Sequence, residues 1–220
     1  MGTQPFLALT AMTLHLHGAP RSRSALVRWY LEEKAIPYTL VSLDLKAGEH
    51  RQPAFLAINP FGKVPALVDD DFRGPDGQPL KLFESGAILQ HLAEHHGHEF
   101  AGDPIRAAAL RSLTAQWVLF ANATLGPALF VAENREREFP RLMGVLDGLL
   151  AGGHSLLADR GEAGGWGDPG WGAADCAVQS YLAYLPVFFP DLDLTPYPSV
   201  QATIEAVRAR PAYVRAMAQP

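Results

Sequence analysis

Apolar and polar positions repeat with two different periods along this 220-residue chain, and the change comes near its middle. Thr13-Leu14-His15-Leu16-His17 alternates with a period of two and stops at Gly18-Ala19-Pro20, which marks a short strand. Residues 22–34 then place Ala25, Leu26, Trp29 and Tyr30 at helical spacing, with the good helix formers Glu32 and Glu33 behind them. Tyr38-Thr39-Leu40-Val41-Ser42-Leu43 reads as a second strand. Val64-Pro65-Ala66-Leu67-Val68 and Leu80-Lys81-Leu82-Phe83 read as two more, joined across the hairpin signal Asp76-Gly77. Residues 85–96 form a helix with Ile88, Leu89 and Leu92 on one face. The order is β-α-β, then β-β-α.

From Asp103-Pro104 onward the pattern is helical and rich in Ala and Leu, with Asp as N-cap and Pro at the first helical position. Helices are predicted through 110–129, 138–151, 175–184 and 199–209, interrupted by a Gly/Pro-rich segment at 161–172. The expected architecture is an α+β domain over 12–96 and an all-α domain over 103–220, joined by a linker at 97–102. Residues 1–11 read as an extension ahead of a second methionine, Met12.

Composition narrows the classes. A chain that is 48% hydrophobic with a net charge of −5 is not a disordered one, and its acidic balance argues against a nucleic-acid partner. A single cysteine excludes a disulfide framework, a CxxC redox pair and a cysteine-based zinc site. No apolar run approaches the ~18 residues of a membrane span, and the first eleven residues lack the basic start of a secretory signal. A cytoplasmic location is the expectation.

Several groupings carry possible chemistry. His91-Leu92-Ala93-Glu94-His95 matches a zinc-peptidase pattern, with two histidines at i and i+4. That pattern needs a further ligand and a cleft, whereas histidines in a solvated run at a helix C-terminus suit the helix dipole without a metal. No metal is expected. His15 and His17 share one face of a half-exposed strand. Gly164-Gly165-Trp166-Gly167 lacks the Lys-Ser/Thr of a phosphate loop, and Cys176, among Ala174, Ala177 and Val178, reads as an inert core thiol. Val64-Pro65 admits two readings, an edge-strand proline or a cis peptide that turns the Val64 backbone outward toward an extended ligand. Glu84-Ser85 opens a helix after a strand: Ser85 is either a plain N-cap or, with the first backbone N–H groups, a carboxylate site beside Glu84. Arg21-Ser22-Arg23-Ser24 sets two arginines against the positive end of a helix, which an anion held there would justify and solvent-directed side chains would also satisfy.

Asn59-Pro60-Phe61-Gly62-Lys63-Val64-Pro65-Ala66-Leu67, followed by Leu82-Phe83-Glu84-Ser85-Gly86-Ala87-Ile88 and then an all-helical half, resembles the cytosolic glutathione transferases. The likeness runs over nearly the whole chain from Met12. The opening Gly18-Ala19-Pro20-Arg21-Ser22-Arg23-Ser24 looks most like the chi class of cyanobacteria, with the nu class a near relative. The resemblance implies a thioredoxin-like glutathione-binding domain, a helical domain shaping an electrophile site, and a homodimer. It implies that the Val64 backbone pairs with the cysteinyl part of glutathione, with Pro65 cis, and that Ser85 and Glu84 hold the γ-glutamyl end. His50 and Arg51, in Gly48-Glu49-His50-Arg51, would meet the glycine carboxylate, and Lys63 stands at a further glutathione contact.

Two departures stand out. Family members usually activate the thiol with Tyr, Ser or Cys after the first strand; that place falls on Pro20 or Arg21 here. The remaining candidates are Arg21 and Ser22, favoured by register, then Arg23. The capping box normally found ahead of the buried second-half helix reads Gly172-Ala173-Ala174-Asp175, without its hydroxyl. For the electrophile, Trp117 and Phe120, with Leu125 and Asn122 nearby, either wall an apolar pocket or belong to the core. The expected activity is conjugation of glutathione to small hydrophobic electrophiles such as isothiocyanates or halonitroarenes, with no metal. The alternatives are glutathione-dependent disulfide reduction or peroxidase activity, and a non-catalytic binding module.

Overall fold

The computed structural model describes residues 13–158 and 170–217. The expectations for residues 1–11 and for Gly164-Gly165-Trp166-Gly167 lie outside that range. The first half runs β1 (Leu14–Gly18), α1 (Ser24–Glu33), β2 (Thr39–Ser42), a 3-10 turn (Glu49–Arg51), α2 (Pro53–Leu56), β3 (Ala66–Arg73), β4 (Pro79–Phe83) and α3 (Ser85–His95). The sheet order is β2-β1-β3-β4. β1 lies parallel to β2 (His15↔Thr39) and antiparallel to β3 (Leu16↔Leu67), which is antiparallel to β4 (Leu67↔Leu82). Alternation in β1 does what its sequence implies: Leu14 and Leu16 are buried, while His15 and His17 stay partly open. Leu26 and Tyr30 of α1 and Ile88, Leu89 and Leu92 of α3 complete this core.

The second half is helical: α4 (Pro104–Leu119), a π-helical turn (Phe120–Leu125), α5 (Gly126–Phe130), α6 (Ala132–Leu150), α7 (Ala173–Phe188), α8 (Pro198–Ala209) and α9 (Pro211–Met217). Asp103 caps α4 as expected, accepting the Arg106 N–H at 2.8 Å. The π turn has a local cause in Pro127, which has no N–H to offer the carbonyl four residues back, so the preceding turn widens. Helix α6 begins at Ala132, ahead of the predicted start at 138, and carries Pro140 inside it. The short α2 and α9 were not anticipated, each being too brief to show a period. Among the described residues no single helix is long and apolar enough to cross a membrane.

One hydrophobic core runs through both halves. Trp29 of α1 meets Tyr213 of α9 edge-on at 5.3 Å and Trp171 at 5.7 Å. Arg215 pairs with Glu32 at 2.7 Å, and Arg210 forks onto Glu33. Helix α7 is buried along nearly its whole length and survives the loss of its N-cap hydroxyl. Asp175 keeps its half of the capping box, accepting the Gly172 N–H at 3.1 Å. Glu99, from the segment between the halves, supplies an acceptor at the vacant place, taking the Ala173 N–H at 3.0 Å.

Candidate functional site

A cleft of about 450 Å³ opens where three segments meet: the start of α1, the loop ahead of β3, and the β4–α3 junction. Ser22, Arg23, His50, Lys63, Val64, Pro65, Glu84 and Ser85 all line it. Every one was singled out from sequence.

The α1 side is a tightly bonded turn. The Ser22 hydroxyl donates to the Ala19 carbonyl at 2.7 Å, sits 2.8 Å from Ser24 Oγ and accepts the Ser24 N–H at 3.2 Å. Arg23 occupies the position before the helix, with no side-chain cap and no acidic residue in the first turn. The positive end of α1 is therefore uncompensated and carries a guanidinium beside it. Register favoured Arg21 and Ser22; of the two arginines, Arg21 is in the left-handed region (φ 53°) and outside the lining, whereas Arg23, equally an exposed residue, lines the cleft.

The second wall is set by Asn59, 2% exposed, whose amide donates to the Lys63 carbonyl at 2.7 Å and accepts the Phe61 N–H at 3.0 Å. This clamp holds the turn that leads into Val64 and Pro65. Their peptide bond is cis, the second of the two sequence readings. The strand expected from Val64 begins at Ala66, because a proline without an N–H stands outside the ladder. His50 reaches the cleft from the 3-10 turn, whereas its neighbour Arg51 is exposed and outside the lining.

At the third wall Glu84 has φ 69° and ψ 117°, an unusual conformation for a residue with a side chain, and occupies the N-cap position of α3. Ser85, 1% exposed, is the first helical residue and not the cap. Its hydroxyl donates across to Asn122 Oδ1 at 3.4 Å instead of serving its own helix. The first-turn N–H groups of α3 are left without intrahelical partners, which suits an anion.

Trp117 and Phe120 do not line the cleft. They meet edge-on at 5.6 Å and pack against the core, the second of the two alternatives. Phe61 and Phe83 line the cleft, and two aromatic side chains of α7 reach the α1 turn. The Tyr184 hydroxyl donates to the Ser22 carbonyl at 3.3 Å, and Tyr181 lies beside Arg23. From there an aromatic chain continues through Phe188 to Phe130, both exposed. Burial pushes both tyrosine pKa values up, with Arg23 partly opposing the rise. The signal was present as Tyr181, Tyr184 and Phe188 at i, i+3 and i+7 in α7, hidden inside a helix that is apolar all round.

The histidine run is not the solvated surface that was expected. His91 and His96, and not the His91/His95 pair, turn their Nε2 atoms to the same oxygen of Asp69, at 2.8 and 2.7 Å. Asp69 is wholly buried on β3, and a carboxylate taken out of water must be bonded. Its other oxygen accepts the Asp71 N–H. His95 stays exposed against Phe72. The three ligand-type atoms lie within 4.8 Å of one another, but two donors at hydrogen-bond length account for the group. Cys176 is fully buried and its thiol pKa is raised by that burial, which makes it unreactive.

A thioredoxin-like sheet with a helical second half, and a cleft closed by a Val-cis-Pro loop and a helix N-terminus, define the class of glutathione-binding transferase folds. The family description "Glutathione S-transferase, N-terminal domain" matches residues 12–94. The chain is 31% identical over 220 aligned residues to the disulfide-bond oxidoreductase YfcG of Escherichia coli (strain K12), covering 93% of this chain and 94% of that one. Among solved structures, the glutathione transferase BgramDRAFT_1843 from Burkholderia graminis, with two glutathione molecules bound per subunit, superposes with a TM-score of 0.75 at 31% identity. That match covers 97% of this chain and 91% of the other. A Pseudomonas putida glutathione transferase with one glutathione disulfide per subunit gives 0.72 at 29% identity, covering 97% and 94%. The chain belongs to the glutathione S-transferase family.

Proposed function

We propose that the cleft binds glutathione and that the enzyme adds its thiolate to small hydrophobic electrophiles such as isothiocyanates or halonitroarenes. One observation carries this reading: Ser22 and Arg23, at the uncompensated N-terminus of α1, share the cleft with Val64, Glu84 and Ser85. In this assignment the Val64 backbone pairs with the cysteinyl unit, Ser85 and the α3 N-terminus hold the γ-glutamyl carboxylate, and Glu84 takes its ammonium. His50 and Lys63 meet the glycine carboxylate end. Arg21 and Arg51 have no part in it.

A free thiol ionises near pH ~8.5, so little thiolate exists at neutral pH. An opposite charge within ~4–6 Å lowers a pKa by about 1–3 units. Arg23 supplies that charge, the α1 N-terminus adds to it, and Ser22 donates a hydrogen bond once its proton turns from Ala19 toward sulfur. The thiolate then attacks the isothiocyanate carbon, a C–S bond forms, and the nitrogen takes a proton from solvent. The aromatic chain that runs from Tyr184 to the exposed Phe188 and Phe130 supports an apolar electrophile on the α7 side. Detoxification, a cytoplasmic location and a homodimer accompany this reading.

A second reading is favoured by the relatives: YfcG is named a disulfide-bond oxidoreductase, and two-glutathione complexes occur among the structural neighbours. With no cysteine in the loop, the enzyme would assist two glutathiones directly. The first thiolate displaces one half of a disulfide, the second releases the other, and glutathione disulfide and two thiols leave. The test measures glutathione consumption with phenethyl isothiocyanate, and in parallel with bis(2-hydroxyethyl) disulfide, from pH 5.5 to 8. Conjugation above the blank, with the profile of Arg23→Ala displaced to higher pH, supports the first reading. Turnover of the disulfide alone supports the second, and an unmoved Arg23→Ala profile removes the thiolate role of Arg23.

A further inference from the structure

Asn122 lies on the π turn of the helical half, yet its side chain reaches Ser85 in the wall of the first half's cleft. Its Oδ1 accepts two hydroxyl protons, from Tyr181 at 3.1 Å and from Ser85 at 3.4 Å. Two donors on one oxygen fix which end of the amide is which, and Nδ2 is then the end set against Gly86 in the first turn of α3. That approach is possible only because residue 86 has no side chain: a Cβ there would stand 2.5 Å from Asn122 Nδ2 and 2.7 Å from Val118 Cγ1. On the other side, Tyr181 lies flush on Gly126, where a Cβ would sit 3.1 Å from the phenol. Tyr181 itself borders Arg23. Ser85, at 1% exposure, has no solvent to set its hydroxyl, so this amide is the protein acceptor that does. The bond is long enough for the proton to swing to a stronger, charged acceptor arriving in the cleft.

We infer that Asn122, held by Tyr181, is a positioning residue for γ-glutamyl recognition: it orients Ser85 and seats the first turn of α3 from the helical half. This rests on the assignment of the cleft to glutathione. Its consequence is specificity for the γ-glutamyl group, since cysteinylglycine, which lacks that group, does not use Ser85.

The experiment compares wild type, Asn122→Leu, Ser85→Ala and the double variant. It measures binding of glutathione by calorimetry, and kcat and KM with glutathione and with cysteinylglycine as the thiol. Asn122→Leu keeps the branching and number of side-chain heavy atoms and removes the acceptor. The expected result is a 3–10-fold rise in Kd and KM for glutathione with kcat within twofold, and no change with cysteinylglycine. The double variant is expected to be no worse than Ser85→Ala. Tyr181→Phe, which removes only the hydroxyl that donates to Asn122, is expected to shift glutathione KM in the same direction by less. Equal losses for both thiols, unchanged glutathione binding in Asn122→Leu, or additive losses in the double variant each overturn the inference while leaving the glutathione assignment standing. Failure of the wild-type protein to bind glutathione overturns that assignment, and the inference with it.

Discussion

Replacing Glu99 by Ala tests how α7 lives without its own N-cap side chain. The Glu99 carboxylate accepts the Ala173 N–H at 3.0 Å, lies 3.5 Å from Lys34 Nζ, and its side chain is 9% exposed. Removal leaves a buried N–H without a partner, a loss of about 1–3 kcal/mol, in line with the 0.5–2 kcal/mol of a missing cap. For a chain of this length that is a fall in Tm of about 2–4 °C per kcal/mol. Gly172→Ser restores the family's hydroxyl but does not fit beside Glu99: a Cβ at 172 stands 2.6 and 2.8 Å from the two carboxylate oxygens. It should cost about 1–3 kcal/mol by overpacking. The backbone at 172 is extended (φ −137°), so serine meets no conformational penalty there. In the double variant Glu99→Ala/Gly172→Ser the space is vacated, and the new hydroxyl can accept the Asp175 N–H. The double variant should therefore lose less than the sum of the singles, with a coupling of about 1–3 kcal/mol. Urea unfolding followed by tryptophan fluorescence measures all four proteins. Losses that add to within about 0.5 kcal/mol would refute the claim that Glu99 fills the space a side chain at 172 would need.

Two further outcomes follow from the same packing. Burial holds the His91 pKa below its ordinary 6.5, against the attraction of Asp69, so the folded state binds its proton later than the unfolded chain on acidification. That contribution to stability is complete above pH 6.5 and is lost as pH falls from there toward the depressed value. For Asp69, burial raises the pKa, but hydrogen bonds from His91, His96 and the Asp71 N–H outweigh it; the net depression adds a second loss below pH 3.8. Thermal melts across pH should show both limbs, and His91→Gln should flatten only the upper one. Gly86→Ala, which in an exposed helix would stabilise by up to about 1 kcal/mol, should instead destabilise by about 1–3 kcal/mol through the contacts with Asn122 and Val118. An unchanged melting temperature for that variant would mean that α3 and α4 can separate freely.

What the sequence made legible was periodicity and local chemistry. The alternation at Leu14 and Leu16, the caps at Asp103 and Asp175, and the hairpin at Gly77 are written within a few residues of where they act. At Val64-Pro65 and Glu84-Ser85 the residues alone left two readings open, and the family resemblance chose between them. Long-range partners were not. Nothing near Gly172 announces Glu99, which is distant in sequence, and nothing near Asp69 announces two histidines on α3. Counting along the loop after β1 chose Arg21 over Arg23, because register cannot see which of the two lines the cleft. Trp117 and Phe120 drew attention as aromatics, whereas Tyr181 and Tyr184 were lost in a helix whose buried length hides any face.

The α7 tyrosines sharpen the question of thiol activation. A chain without Tyr or Cys in its first loop could borrow a phenol from the other half, and Tyr184 already bonds the Ser22 carbonyl. Burial, however, raises the pKa of both phenols, so at neutral pH they are neutral groups. A neutral phenol can favour a thiolate by donating a hydrogen bond, but it supplies no charge. Among the groups gathered at the α1 turn, Arg23 supplies a positive charge. The Arg23→Ala displacement should then persist in Tyr184→Phe, whose own effect should fall on the electrophile's KM.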